Sequence, residues 1–335
     1  MAGNSTKSGL DVRATMDLSI IIVNWNSEDY LRQCLAGIYE NTAGMAFEIL
    51  VVDNASPAGK VDAVCCDYPA VKLVKSAENL GFARANNLGF RHSIGEYVLF
   101  LNPDTKVVGN AINRLLHQAR ELRDMGIIGG KLVDPDMAVQ TTSIQKFPTI
   151  LNQMADIEYL RRRFPHCRLW GIGPLFTRPE AVTRVEVIPG ACMLLRRDVF
   201  VRVGGFSENY FMYAEDIDLN WKVARARLAS YYVPEAIIVH YGGTSSRQQK
   251  VNEWATIMKY RAMRQYYVRN HGPLYAGTYQ LAMASMAGLR LVVFVPLLGI
   301  ARLRHRPSPV RQAFAKWIAV LKWALGLDDW ALQAR

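Results

Sequence analysis

The chain has 335 residues, half of them hydrophobic and 21% charged. That excludes a disordered or low-complexity protein and leaves enough chain for a sizeable apolar core without disulfides or a structural metal. Its five cysteines (Cys34, Cys65, Cys66, Cys167, Cys192) have no CxxC spacing and read as reduced thiols of a cytoplasmic protein, not as a disulfide frame or zinc site. The formal charge of +11 is concentrated: Trp254 to Leu327 carries eleven Lys and Arg and no Asp or Glu, while the remainder balances 29 basic against 29 acidic residues.

Residues 1–17 are polar, lack the apolar core of an export signal, and predict a disordered lead. From Leu18 to about Tyr241, short apolar runs alternate with helical stretches, which predicts an α/β fold with a mostly parallel central sheet flanked by helices. The expected strands are 18–23, 48–52, 71–74, 96–101, 127–133, 191–196, 230–233 and 236–241, with helices at 28–40, 83–92, 109–124 and 216–228. Residues 140–185, rich in Arg, Pro and aromatics, read as a loop-rich insert.

Three of the strands end in the same chemistry. Asn24-Trp25-Asn26 follows the first, Asp53-Asn54-Ala55-Ser56 the second, and Asn102-Pro103-Asp104 the fourth. Asn and Asp are ordinary turn and cap residues, but ligands of open α/β sheets bind beyond the carboxyl ends of strands, so the three together nominate one polar crevice. No GxGxxG follows the first strand, and neither GxxxxGK[ST] nor GxSxG occurs, which disfavours a dinucleotide dehydrogenase, a P-loop enzyme and an α/β-hydrolase. Phosphate handling would then fall to a divalent cation on carboxylates, with Asp104 as a ligand for Mg²⁺ or Mn²⁺. The start of the 216–228 helix offers Glu215, Asp216 and Asp218, which suit the helix dipole and also offer a general base. His240, before Gly242-Gly243, is a further candidate metal ligand. Gly81 turns the segment Glu78–Asn87 into a helix whose first N–H groups could meet phosphate.

Past residue 250 the pattern changes. Leu274–Ala301 is long enough to cross a bilayer but contains Arg290 and Pro296, and the segment after it places Trp317, Leu321 and Leu325 on one helical stripe beside Lys316 and Lys322. Basic, Trp-bearing amphipathic helices lie in the headgroup plane of anionic membranes. A nucleic-acid partner would not need LVVFVPLLGI, so a monotopic membrane anchor is expected here rather than a span, Arg290 weighing against crossing. A helical pair packed on the body is the plainer alternative, and the same tail is a candidate for self-association.

Taken together, VNWN (23–26), VVDNAS (51–56), ENLGFARANN (78–87), LNPDT (101–105), KLVDPD (131–136), PGACMLLRR (189–197), GGFSENYFMYAEDIDL (204–219) and VHYGGTSS (239–246) resemble a bacterial family 2 glycosyltransferase, nearest the rhamnosyltransferase-like enzymes of cell-envelope polysaccharide assembly. The resemblance covers about 18–250. It implies a GT-A fold over that range, with a nucleotide-binding part at about 18–135 and an acceptor-binding part at about 136–250; the chain beyond, 251–335, is the helical membrane-association segment expected from its charge and apolar pattern. It implies inverting transfer of a sugar from a nucleoside diphosphate donor, best matched by dTDP-rhamnose, to a glycan or polyprenyl-diphosphate-linked acceptor at the cytoplasmic face of the bacterial inner membrane.

By the same resemblance, Asp53 meets the donor base with Asn24 and Asn26 lining that pocket, and Asn79, Gly81, Ala83 and Asn86 lie along the nucleotide-sugar. Asn102-Pro103-Asp104 stands where the family has Asp-x-Asp, Glu215-Asp216 matches its acidic pair with Asp216 as base, and His240 matches a histidine that helps hold metal or diphosphate. Two other readings compete. A non-catalytic sugar-nucleotide-binding scaffold would have no chemical need of Asp104, Asp216 and His240 together, and a nucleotidyltransferase would want a Gly-rich basic loop where NWNSEDY stands.

Overall fold

The computed structural model describes residues 16–57, 60–155, 157–177, 181–242, 253–303 and 309–327. Residues 1–15 of the lead read as disordered, and Gly243–Ser246 at the end of the last motif, lie outside that range. Met16 and Asp17 do not belong to a loose lead: Asp17 N–H donates to Ala46 O, and Met16 O accepts from Glu96 N–H.

Nine strands form one sheet: β1 (Leu18–Asn24), β2 (Phe47–Asp53), β3 (Val71–Lys75), β4 (Tyr97–Leu101), β5 (Thr105–Val107), β6 (Met125–Val133), β7 (Thr183–Val185), β8 (Cys192–Arg196) and β9 (Ala229–His240). The helices are α1 (Glu28–Asn41), α2 (Lys60–Cys66), α3 (Gly81–Arg91), α4 (Ala111–Glu121), α5 (Ile150–Met154), α6 (Glu158–Arg163), α7 (Pro174–Thr177), α8 (Arg197–Arg202), α9 (Glu215–Arg225), α10 (Glu253–His271), α11 (Pro273–Leu303) and α12 (Pro309–Ala324).

The strand order is β3-β2-β1-β4-β8-β6-β9-β5, with β7 paired to β9. The longest ladders, β1 with β2 and β6 with β9, are parallel; β8 runs antiparallel between β4 and β6, and β5 and β7 are antiparallel to β9. Alternation along each central strand divides the core. Ile20, Ile22 and Leu99 face a cluster with Leu31, Leu35 and Leu115 of α1 and α4, while Ile21, Val98 and Phe100 face one with Ala85, Phe200 and Leu219 of α3, α8 and α9. Both faces are covered, which is why these strands are apolar runs without a polar side.

The two expected strands at 230–233 and 236–241 are one strand. Pro234 does not end it, because the β6 register jumps from Gly130↔Val233 to Lys131↔Ile237, so the proline falls in a bulge where no ladder N–H is needed. The insert at 140–185 holds three short helices and β7, and it was irregular in sequence because each piece is too short to show a period.

The last three helices pack on one another and on the body. Tyr266 and Tyr267 of α10, Tyr279 and Met283 of α11 and Trp323 of α12 share a buried cluster with Tyr210 and Ile217 beside α9. Trp317, expected at a headgroup surface, is turned inward, as is Trp323; they are 7% and 4% exposed. Arg290 is also an inward pin, its guanidinium 4.1 Å over the Trp317 ring and its Nη2 donating to Met154 O at 3.2 Å. Most of the apolar surface that the described part of these helices leaves to solvent lies on α11, where Leu274, Leu281 and Val292 are 88%, 68% and 72% exposed.

Candidate active site

The strand order explains why three polar strand ends meet. β2, β1 and β4 are consecutive neighbours, with Asn24 beside Asp53 in the β1–β2 register. Chain direction across the sheet reverses at this place, since β1 lies between β2 and β4, and that is the switch point at which open α/β sheets bind ligands.

Short loops lock the β1 and β2 ends together. Asp53 Oδ1 accepts from Ser56 N–H at 3.1 Å, while Ser56 Oγ accepts from Asn24 Nδ2 at 3.3 Å and from Asn26 N–H at 3.1 Å. Asn24 is fully buried and its Oδ1 has no partner; Asp53 is partly exposed and Asn26 exposed. Asn54 joins the next loop: its Nδ2 donates to Asn79 Oδ1 (2.9 Å) and Gly81 O (3.3 Å), and its Oδ1 accepts from Leu80 N–H (2.8 Å). The side chains of Ala83 (0% exposed) and Asn86 (2%) are packed inside, Asn86 Nδ2 donating back to Phe82 O. Both belong to α3, which starts at the Gly81 turn. Gly81 is buried as well, at φ +73°, and an added Cβ would lie 2.1 Å from Phe211 O. It is there so that two loops can touch.

That contact brings in the acidic pair. Phe82 N–H donates to Phe211 O, tying the α3 turn to the loop that leads into α9. Asp216 Oδ2 accepts from Gly190 N–H at 2.9 Å and its Oδ1 from Ile217 N–H at 2.8 Å. Gly190 immediately precedes Ala191, whose carbonyl accepts from Asn102 N–H at the end of β4. Asp216 and the Asn102–Asp104 turn are therefore held to the two ends of one dipeptide. Asp53 reaches the same edge through β1. Gly190 was inside a quoted motif, but nothing in its sequence context marks it as the link.

Asp104 is 7% exposed. It is followed by β5, only three residues long, which pairs Thr105 with His240 and so brings His240 Nε2 to 3.6 Å from Asp104 Oδ1. Gln140, absent from the sequence reading, sets the imidazole. Its Nε2 donates to His240 O at 2.6 Å, so its Oε1, 3.0 Å from His240 Nδ1, is an acceptor. The ring proton then sits on Nδ1 and a lone pair on Nε2 faces the carboxylate. Burial lowers the His240 pKa, opposed by the Asp104 charge, which favours this neutral form. Two acceptors confronting one another suit a divalent cation that completes its shell with water and phosphate oxygens. Among the described residues no cluster of three or more His, Cys, Asp or Glu accompanies them.

Six non-glycine residues have left-handed backbone among those described, and four of them, Asn26, Ala55, Tyr213 and Ala214, lie in the loops at this edge. Such conformations cost about 1–2 kcal/mol each and persist where the surroundings over-determine them. Tyr213 and Ala214, at φ 71° and 64°, aim the start of α9 at Gly190.

The two acids of α9 differ. Burial raises the Asp216 carboxyl, and backbone donation from Gly190 and Ile217 opposes the rise. Burial pushes the Glu215 carboxyl to about 8, helped by the Asp216 charge, and its Oε2 is buried with no partner. Glu215 is thus a neutral acid at neutral pH and Asp216 the better base. A folded pKa above the unfolded value withdraws stability as pH rises from the unfolded carboxyl range toward about 8. Glu215→Gln should accordingly match the parent near pH 4 and gain on it up to about pH 8, by roughly 2–5 kcal/mol, read from denaturant unfolding across that window.

Residues 19–204 match glycosyl transferase family 2. The chain belongs to that family. Among its relatives it is 29% identical over 250 residues to the N-acetylglucosaminyl-diphospho-decaprenol L-rhamnosyltransferase of Mycobacterium tuberculosis (strain ATCC 25618 / H37Rv), covering 71% of this chain and 80% of that protein. It is 27% identical over 238 residues to the rhamnosyltransferase WbbL of Escherichia coli (strain K12), covering 68% and 84%. In architecture it is similar to the mannosyltransferase PcManGT of Pyrobaculum calidifontis, solved with GDP-Man and Mn²⁺, with TM-score 0.59, 17% identity and coverage of 93% and 87%. The family 2 enzyme thus has the GT-A fold that its motifs implied.

Proposed function

We propose that this glycosyltransferase moves L-rhamnose from dTDP-rhamnose, with inversion, to a polyprenyl-diphosphate-linked sugar at the cytoplasmic membrane face. The observation that carries the reading is the Gly190-Ala191 link, which ties the Asp216 carboxylate to the Asn102–Asp104 turn; the relatives' names supply the sugar and the lipid-linked acceptor. Asp53 takes the imide of the base, with Asn24, Asn26 and Asn79 lining the nucleotide site. Asn102 would lie beside the diphosphate, and Asp104 and His240 would hold a divalent ion, Mg²⁺ or Mn²⁺, whose positive charge would offset that developing on the diphosphate.

Asp216 takes the proton of the acceptor hydroxyl. The acceptor oxygen then attacks the anomeric carbon opposite the diphosphate, and a single displacement inverts the centre. Glu215, neutral and buried beside Asp216 in the chain, orients the base or the acceptor without competing for the proton. The α11 face and the acid-free stretch from Trp254 to Leu327 lie against the membrane that carries the acceptor.

The test is incubation of the full chain with dTDP-rhamnose and a short-chain polyprenyl diphosphate bearing N-acetylglucosamine, with Mn²⁺ or Mg²⁺. Release of dTDP and a glycolipid heavier by one deoxyhexose are expected; no transfer from dTDP-rhamnose alongside transfer from another donor overturns the sugar assignment. Asp104→Ala should weaken the metal-supported part of donor binding at least about tenfold, read as the loss of the extra thermal shift that Mn²⁺ adds to donor.

A further inference from the structure

Two phenyl rings and an indole border the place where Asp216 works, and the rings have no part in the chemistry above. Phe82 follows the Gly81 turn and is partly exposed, its ring resting edge-on against the buried Phe206 with centroids 5.8 Å apart. Its tip reaches the base. A Cβ added to Gly190 would lie 3.1 Å from Phe82 Cζ and 3.5 Å from Asp216 Cβ, so the end of the ring and the root of the carboxylate face one glycine. Gly190 does not have left-handed backbone; crowding by the ring, not conformation, asks for a residue without a side chain there.

Phe211 extends the same border. Its carbonyl accepts from Phe82 N–H at 2.8 Å, and its ring lies so close to Gly81 that an added Cβ would meet Cδ2 at 2.9 Å. The side chain is nonetheless 36% exposed. Trp254, in the first turn of α10 and also partly exposed, stands against that ring with 6.1 Å between centroids and 88° between planes. Between Phe211 and Asp216 the chain carries the left-handed pair Tyr213 and Ala214, so the turn that aims the base also sets the ring.

Such rings make no strong hydrogen bonds to sugar hydroxyls. What they take is an apolar face, and a hexopyranose with equatorial substituents presents one, made of its axial C–H bonds. The base decides which sugar. Asp216 takes its proton from the acceptor hydroxyl, so the ring that bears this hydroxyl is the one that lies beside it. We propose that Phe82, Phe211 and Trp254 form the subsite that holds the acceptor sugar through its C–H face, an assignment that rests on Asp216 being the base but not on the sugar transferred. Fixing the plane of the acceptor ring brings one hydroxyl, and not its neighbours, to the carboxylate.

The test is equilibrium binding to the full chain, with dTDP and Mn²⁺ present, of two probes: a short-chain polyprenyl diphosphate bearing N-acetylglucosamine, and the same lipid without the sugar. Phe211→Leu and Trp254→Leu, which keep an apolar side chain but lose the ring, should each weaken the sugar-bearing probe by roughly three- to tenfold. Both should bind the bare lipid as the parent does. In the parent the ring protons of the sugar should move upfield on binding, as protons over an aromatic face do, and the two variants should diminish that shift. Phe82→Leu should act in the same way; where loss of its contact with Phe206 lowers thermal stability, the other two variants carry the test. Equal weakening of both probes would assign the wall to the lipid. Weakened dTDP-rhamnose binding with intact acceptor binding would assign it to the donor sugar, and parent-like binding by every variant would leave it without a ligand. Each of these overturns the proposal. A chain that binds the sugar-bearing probe through these rings yet transfers no rhamnose would sustain this inference while removing the proposed donor.

Discussion

Asp216→Asn lowers turnover by roughly 10²–10⁴, about 3–6 kcal/mol of barrier, and leaves dTDP-rhamnose affinity within a few-fold of the parent. The reason is geometric. Both carboxylate oxygens accept from backbone N–H groups, Gly190 on one and Ile217 on the other, so the side chain is oriented before any substrate arrives and retains further lone pairs for an acceptor hydroxyl. An amide can accept only one of those donations and cannot take up a proton at neutral pH. The measurement is single-turnover transfer at saturating donor, alongside donor binding by thermal shift. Loss of the acidic limb of the pH–rate profile would mark a base, which a merely structural residue would not move. Near-parent turnover would remove Asp216 from that role, and lost donor binding would assign it to the nucleotide instead.

How far this site was legible in sequence depends on where each contact is made. Asn24, Asp53 and Asp104 were legible because each ends a buried apolar strand, and the parallel sheet puts consecutive strand ends on one edge. The pairing of Asp104 with His240 was implied only by the family resemblance and not by local pattern, since it depends on β5, whose three residues have no period to read and which pairs with β9. Gly190 escaped for a similar reason: its N–H matters because β8 runs antiparallel beside β4, a register that local pattern does not encode. The paired left-handed residues Tyr213 and Ala214 run against local preference, and an aromatic and an alanine give no warning of it. In the tail, amphipathic spacing identified the helices but not which stripe turned inward. Trp317 and Trp323 are buried because α10 and α11 supply aromatic partners such as Tyr260 and Tyr279, an arrangement visible only in three dimensions.

Asp218→Ala is expected to cost about 3–5 kcal/mol of folding stability. Asp218 has no exposed surface, yet it accepts from Ser207 Oγ at 2.5 Å, Tyr210 OH at 3.4 Å and Asn270 Nδ2 at 3.0 Å. Lys222 Nζ and Arg269 Nε lie 3.6 Å from its two oxygens. Asn270 and Arg269 belong to α10 and Lys222 to α9, so one carboxylate joins the tail to the helix that carries the acidic pair. Burial lowers the Lys222 ammonium pKa while Asp218 raises it; without the carboxylate a half-buried cation is left facing Arg269. Removing the cation as well should recover part of the loss, so Asp218→Ala with Lys222→Met should be more stable than Asp218→Ala alone. Denaturant unfolding of the four proteins measures the coupling. If the single and double variants unfold alike, Lys222 draws nothing from the pair, and the hydroxyl and amide donors carry the junction by themselves.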